Sequence, residues 1–352
     1  MTSRYPVSQL RDFVTTVLER CDVPPDDAAT TADRMLDADL RGMSGHGVLR
    51  LPGYAKRLRS GGYSLRPDVR VVRETPVSAL VDGDDGLGQV VMTRVAEIAI
   101  DKAIASGLAW VGVRRSNHAG AGGVYASMPL ERDLIGLYFA IGNANHMPPW
   151  GGLDMLLSTN PVAVAIPAGE EPPLVLDMAT TQVSYGRVKV AADRDETMPE
   201  GWMVDRQGQP LTDPKRSAEG FLVPIGGYKG YGLNLVIGAL AGLLNGAALG
   251  SSVVDFNADF TTPTNTGQAM LVVRPDLFQP VEEFKAAMDH HIRELKASTP
   301  MPDHPPIRVP GDQTPDRIAD LREHGVPLAA ATVHRLADLA TELDVTDHPF
   351  AP

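Results

Sequence analysis

From Gly230 to Val254 the chain carries no charged residue, and the reading of that stretch decides between a membrane span and a buried helix. Its core, Leu233–Leu249, contains Asn234 and Asn245 and is dense in glycine and alanine. A span needs about 20 strongly apolar residues, so the stretch is expected to form a buried helix, with no membrane association. Gly238, Gly242, Gly246 and Gly250 fall four apart, which would make a side-chain-free ridge along one helix face. A glycine inside a helix costs about 1 kcal/mol relative to alanine. Close packing against another element, or against a second copy of the chain, would offset that cost.

Composition narrows the class further. With 352 residues and about 150 residues per domain, two domains are expected. The net charge of −12 disfavours nucleic acid as a partner, because phosphate binding needs a basic surface. The single cysteine, Cys21, leaves no disulfide framework and no cysteine-based metal site; no metal site is expected at all. Met1–Leu10 lacks a basic segment followed by an apolar block, so a cytoplasmic location is expected.

Periodicity predicts helices over 8–20 (with Ser8 as the cap), 28–40 and 48–60. Strands are predicted over 69–73 and 78–81, followed by a turn at Asp82-Gly83-Asp84-Asp85-Gly86. A helix over 89–106, a strand over 108–113, a helix over 119–132 and a strand over 134–140 follow. Further strands are expected at 162–166, 174–176 and 269–273. The chain then turns helical after Pro280 through Lys296, and a proline-rich connector over 299–311 leads to two short helices. The mixture implies an α/β core over 76–284, with a helical domain built from 1–75 and 285–352.

No G-x-G-x-x-G follows a predicted strand and no phosphate-binding P-loop occurs, which argues against a standard Rossmann site. Several polar, glycine-rich segments nevertheless interrupt the apolar pattern. His46 and Arg50 lie four apart at a helix start, where one face could pair a proton-transfer group with a carboxylate clamp; a surface or capping pair is the simpler alternative. Ser116-Asn117-His118-Ala119-Gly120-Ala121-Gly122-Gly123 joins a strand to a helix, a place where free backbone amides can hold an anion. Asn143 and His146, Thr159, and Asp177-Met178-Ala179 sit in loops flanking strands. Lys229, at the start of the glycine-rich helix, puts a cation on a positive helix end, which is unfavourable unless an anion lies between them.

Taken together, six ordered segments resemble the malate/L-lactate dehydrogenase family of the non-Rossmann type. They are R-G-x-x-x-H-G-V-x-R-L-P at 41–52, S-N-H-x-G at 116–120, G-G at 151–152, T-N-P at 159–161, D-M-A-T at 177–180 and Y-K-G-Y-G-L at 228–233. That family includes ureidoglycolate, sulfolactate and diketogulonate oxidoreductases and piperideine-carboxylate reductases. The resemblance implies a homodimer with a nicotinamide-binding domain built on a largely antiparallel sheet, and NAD or NADP as cofactor. It implies that His46 or His118 exchanges the substrate proton, that Arg50 binds the carboxylate, and that Thr159 and Arg187 contact substrate. His118, Ala119, Gly120, Ala121, Gly122, Asn143, Asp177, Met178, Ala179, Lys229, Gly230, Arg308 and Gly311 match cofactor-contacting positions.

The chain departs from the pattern at Gly45, where most members carry serine before the His-Gly pair; Ser44 stands one residue earlier. In imine reductases that serine works with an aspartate at the position held here by Arg187, and hydroxy-acid members usually carry a basic residue there. The expected reaction is therefore hydride exchange between a nicotinamide and an anionic 2-oxo/L-2-hydroxy acid pair. A C=N substrate, a cyclic imino acid, is the alternative, and a cofactor-binding homologue without chemistry is the third. Gly45 leaves room for a larger substrate or a water.

Overall fold

The computed structural model describes residues 2–351. In chain order the helices are α1 (Val7–Arg20), α2 (Pro25–Leu40), α3 (Leu51–Arg59), α4 (Gly88–Ser106), α5 (Gly122–Ser127), α6 (Tyr185–Asp193), α7 (Tyr228–Ala241), α8 (Val281–Lys296), α9 (Thr314–His324) and α10 (Ala330–Glu342). The strands are β1 (Thr2–Tyr5), β2 (Arg70–Thr75), β3 (Ser78–Gly86), β4 (Leu108–Ser116), β5 (Ile135–Ala140), β6 (Val162–Ile166), β7 (Leu174–Met178), β8 (Met203–Asp205), β9 (Gly220–Leu222), β10 (Gln268–Val273) and β11 (Val326–Ala329). The central sheet has the order β2-β3-β4-β10-β5-β6-β7, and only β3 and β4 run parallel. This is the mixed α/β architecture with a largely antiparallel sheet that the resemblance implies.

Three apolar cores hold the described residues. The first packs α1, α2 and α3 against α10 and the β1–β11 pair, so both chain ends share it. The second lies between α4, α5 and the sheet. A third, smaller core spans Val183–Leu222 around α6 and the β8–β9 pair, within the residues that the sequence assigns to the sheet domain. A cleft opens where the three meet.

Four local expectations are corrected. Helix α1 begins at Val7 after Pro6, with no side-chain cap, so Ser8 is already inside it. The segment read as a turn at 82–86 belongs to β3. Asp84 and Asp85 take φ of 48° and 59°, and pairing with β4 resumes at Gly86 opposite Ser116. The bulge closes because Arg115 gathers Asp82, Asp84 and Asp85. Residues 119–121 are not helical, and α5 is a short helix followed by a 3-10 turn to Arg132.

The fourth correction concerns the glycine-rich stretch. Helix α7 stops at Ala241, where Asn245 Nδ2 donates to the Ala241 carbonyl and to Gln268 O, and Gly246 takes the left-handed φ of 72°. No ridge through Gly250 forms. The helix is not wholly buried either: Leu233, Leu235 and Val236 are exposed, as are Leu243 and Leu244 just beyond it. Among the described residues, no helix is long and apolar enough to cross a membrane.

Candidate active site

Two consecutive 3-10 turns, Ser44–His46 and Val48–Arg50, lead into α3 and carry the first two functional groups. Asp39, buried at the end of α2, fixes this loop from below by accepting the Val48 amide at 2.8 Å. A side chain at Gly47 would collide with that carboxylate, so the close approach requires glycine. Burial pushes the Asp39 carboxyl up to about 7.

Arg50 points into a cleft of about 630 Å³. Its Nε donates to the Gly45 carbonyl at 2.7 Å. Burial pulls its pKa down, and no carboxylate among the described residues pairs with it. An enclosed guanidinium without a counterion is costly by itself and stabilised by an anion.

The imidazoles of His46 and His118 stack beside it, ring centroids 5.4 Å apart. Burial, reinforced by Arg50, lowers His46 to about 3, and His118 falls well below its ordinary value, first by burial and then by His46. Both rings are therefore neutral near pH 7. His46 Nδ1 is buried and has no partner among the described residues. His118 Nδ1, in contrast, lies 2.6 Å from Tyr54 Oη, and Gln89 Nε2 donates to the same oxygen at 2.9 Å. With Gln89 in that orientation the tyrosine proton goes to His118 Nδ1, so the imidazole proton sits on Nε2. Tyr54 is fully buried, and burial raises its phenol to about 12, which keeps that proton in place.

The far wall comes from the loop after α7. Arg57, fully buried in α3, donates to the carbonyls of Phe256, Asp259 and Thr262 and sets Phe256 against the His118 ring, centroids 5.2 Å apart. At the other end of the cleft, Asp177 Oδ2 accepts the Gly123 amide at 2.7 Å. That carboxylate, raised by burial, already occupies the start of α5. Asn143 gives its Nδ2 to Thr264 and Thr266, at 3.1 and 2.6 Å, which leaves Oδ1 as the atom it can offer.

An enclosed unpaired cation, two neutral imidazoles in contact and a carboxylate at the opposite end suit proton exchange on a bound anion. The sequence profile described as Malate/L-lactate dehydrogenase matches residues 5–337. The chain belongs to the malate/L-lactate dehydrogenase family. Malate dehydrogenase of Pyrococcus abyssi is 36% identical over 357 residues, covering 97% of this chain and 95% of that protein. The solved sulfolactate dehydrogenase of Methanocaldococcus jannaschii aligns with a TM-score of 0.89 at 34% identity, covering 99% of this chain and 98% of that one. The malate dehydrogenase of Entamoeba histolytica gives a TM-score of 0.93 at 25% identity, over 98% and 99% of the two chains. As a member of this family the chain is an oxidoreductase of the dehydrogenase kind.

Most of the residues matched to family positions line one cleft: His46, Arg50, His118, Ala119, Gly120, Gly122, Asn143, Thr159, Asp177, Met178, Ala179 and Arg187. Ala121 is buried behind it. Lys229, Gly230, Arg308 and Gly311 lie outside the lining. Lys229 is exposed at the start of α7, where water screens the conflict between its charge and the helix end. Gly311, with φ of 91°, packs on the first residues of β7, and Val175 N donates to Pro310 O at 3.0 Å.

Sequence reasoning missed Tyr54, Gln89, Lys189 and the stacking of Tyr185 on His146, centroids 4.0 Å apart. Tyr54 falls four residues after Arg50, on the face that carries it, and that spacing was the one available signal.

Proposed function

We propose that this protein interconverts a 2-oxo acid and the corresponding L-2-hydroxy acid using NAD or NADP. The observation that carries this reading is the unpaired Arg50 guanidinium set beside two neutral, contacting imidazoles. The family's malate and sulfolactate dehydrogenases, named for hydroxy-acid substrates, support it.

Arg50 binds the substrate carboxylate through its Nη atoms, since Nε is engaged by Gly45 O. His118 presents Nε2–H to the substrate oxygen, its ring held by Tyr54 and Gln89. His46, whose ring borders the cleft, exchanges the proton at that oxygen through Nε2, since Nδ1 is enclosed. A carboxylate on Arg50 cancels the second cause of His46's low basicity, so substrate binding itself raises the base toward working range. Thr159 and Arg187 border the substrate.

The residues present fit a nicotinamide cofactor at the Asp177 end. One oxygen of the enclosed Asp177 carboxylate takes the Gly123 amide and the other suits a hydroxyl donor such as a ribose. Ala179 lines the cleft beside Asp177, and Asn143 and Gly120 line the same cleft nearer Phe256 and His46. When bound, the nicotinamide gives or takes the hydride.

A second copy of the chain is proposed to cover the apolar face formed by Tyr228, Val236, Leu243 and Leu244 with Trp150, each more than half exposed here. The enzymatic reading is tested by oxidation of NADH and NADPH with a panel of 2-oxo acids and one cyclic imino acid. Turnover of oxo acids is expected. Turnover of the imine alone overturns the reading.

A further inference from the structure

The reaction cleft is the smaller of two adjoining cavities. Beyond Arg50 lies a second one of about 1160 Å³. Gly45, Arg50, Gly186, Lys189 and Phe256 border both, whereas Asp177 and Ala179 border only the first. Arg50 thus stands between the proposed cofactor end and an empty room on its other side.

Gly45 is at the junction. A Cβ built there meets no heavy atom within 4 Å, and its backbone is not in the left-handed region. No packing or backbone reason therefore demands glycine, and any side chain would project into the junction. Beyond it the walls are largely apolar: Leu49, Pro52, Phe260 and Leu328, with Ala330 and Ala331 from the first turn of α10. The charges at the rim are partly neutralised already, since Arg335 pairs with Asp193 at 3.2 Å. Lys189 is held at the junction by Asn257 Oδ1 at 3.0 Å.

We infer that the second cavity receives the substituent of an elongated substrate: a 2-oxo or 2-hydroxy acid whose carboxylate sits on Arg50 and whose apolar alkyl or aryl tail passes Gly45. A three- or four-carbon acid ends at Arg50 and leaves this room to water. Burying a tail transfers apolar surface out of water, worth about threefold to fourfold in affinity per methylene. This inference rests on the dehydrogenase reading for the position of the carboxylate, and it is tested apart from turnover.

The probes are redox-inert oxamate and its N-propyl, N-hexyl and N-(2-phenylethyl) derivatives, titrated calorimetrically into the full-length protein with and without NADH. Affinity should rise by about threefold per methylene through the propyl derivative, and the hexyl and phenylethyl derivatives should bind tightest. Ala331→Trp narrows the cavity from its far wall. It should remove the gain for the hexyl and phenylethyl derivatives and leave oxamate affinity unchanged. Gly45→Leu should remove the gain from the propyl derivative onward, and thermal unfolding of both variants checks that they fold. Affinity that is flat or falls with tail length in the parent protein overturns the inference, as does an unchanged length preference in both variants. Length-dependent binding without turnover of any 2-oxo acid overturns the dehydrogenase reading alone. Turnover of short acids with flat binding overturns the elongated substrate alone.

Discussion

Replacing Arg50 with methionine should move stability and activity in opposite directions. The side chain is enclosed, no carboxylate among the described residues pairs with it, and burial depresses its pKa. Enclosing an unpaired cation costs several kcal/mol when complete; facing a cleft, Arg50 bears only part of that, about 2–3 kcal/mol. Methionine keeps most of the volume and removes the charge. It also removes the 2.7 Å bond from Nε to the Gly45 carbonyl, a loss of about 1 kcal/mol. The net expectation is an unliganded protein more stable by about 1–2 kcal/mol, or a few degrees in Tm. Two charge-assisted hydrogen bonds to the substrate carboxylate disappear at the same time. At about 1.5–2 kcal/mol each they amount to about 3–4 kcal/mol, a fall of about 10²–10³ in kcat/KM. Thermal unfolding without ligand and initial rates at saturating cofactor measure the two halves. A variant that melts lower than the parent while keeping kcat/KM within tenfold would refute the view of Arg50 as an unpaired cation awaiting an anion.

Tyr54→Phe strands Gln89 Nε2 and His118 Nδ1; unfolding free energy should fall by about 1–3 kcal/mol, with ¹⁵N spectra of His118 showing mixed tautomers instead of one. Asp177→Asn keeps an acceptor for the Gly123 amide and loses the charge, so the cofactor KM should rise by about tenfold while Tm stays within a few degrees; an unchanged KM removes Asp177 from the cofactor set. In acid, His46 has a folded pKa of about 3, below the unfolded value of about 6.5. The unfolded chain therefore binds the extra proton between those values, so stability is complete above about pH 6.5 and is lost as pH falls toward 3. His118 acts in the same direction, while Asp39, raised to about 7, acts in the opposite one, so the ring NMR signals of His46 and His118 are the readout: they should not titrate between pH 7.5 and 5.5, and titration there contradicts the neutral, enclosed pair. Leu244→Asp, on the exposed apolar face, should shift the sedimentation coefficient to that of a monomer.

Where local pattern decides structure, the sequence is informative. Strand β6 occupies Val162–Ile166 as periodicity predicts, and α4 begins one residue before the predicted 89 and ends at Ser106. Residues 82–86 mislead because a run of aspartates and glycines is good turn chemistry, yet Arg115, reached across the sheet, gathers the carboxylates into a strand bulge. The end of α7 depends on Asn245 folding back onto Ala241 O and Gln268 O, a tertiary contact that no spacing encodes. The β1–β11 pair joins the two ends of the chain through short strands with no alternation to reveal them. In the site, the ordered motifs identify the groups that face the cleft. They do not show that His118 is oriented by Tyr54, 64 positions away, nor that the room left by Gly45 adjoins a larger cavity than the cleft itself.

We propose that this cleft reduces an Arg50-bound 2-oxo acid with a nicotinamide cofactor. Stopped NADH and NADPH oxidation by the purified protein, across 2-oxo acids and a cyclic imino acid, with Arg50→Met alongside, tests it most directly. Turnover of at least one 2-oxo acid is expected, at a kcat/KM about 10²–10³ higher than the variant's. Cofactor binding without turnover of any oxo acid, or turnover indifferent to Arg50, would contradict it.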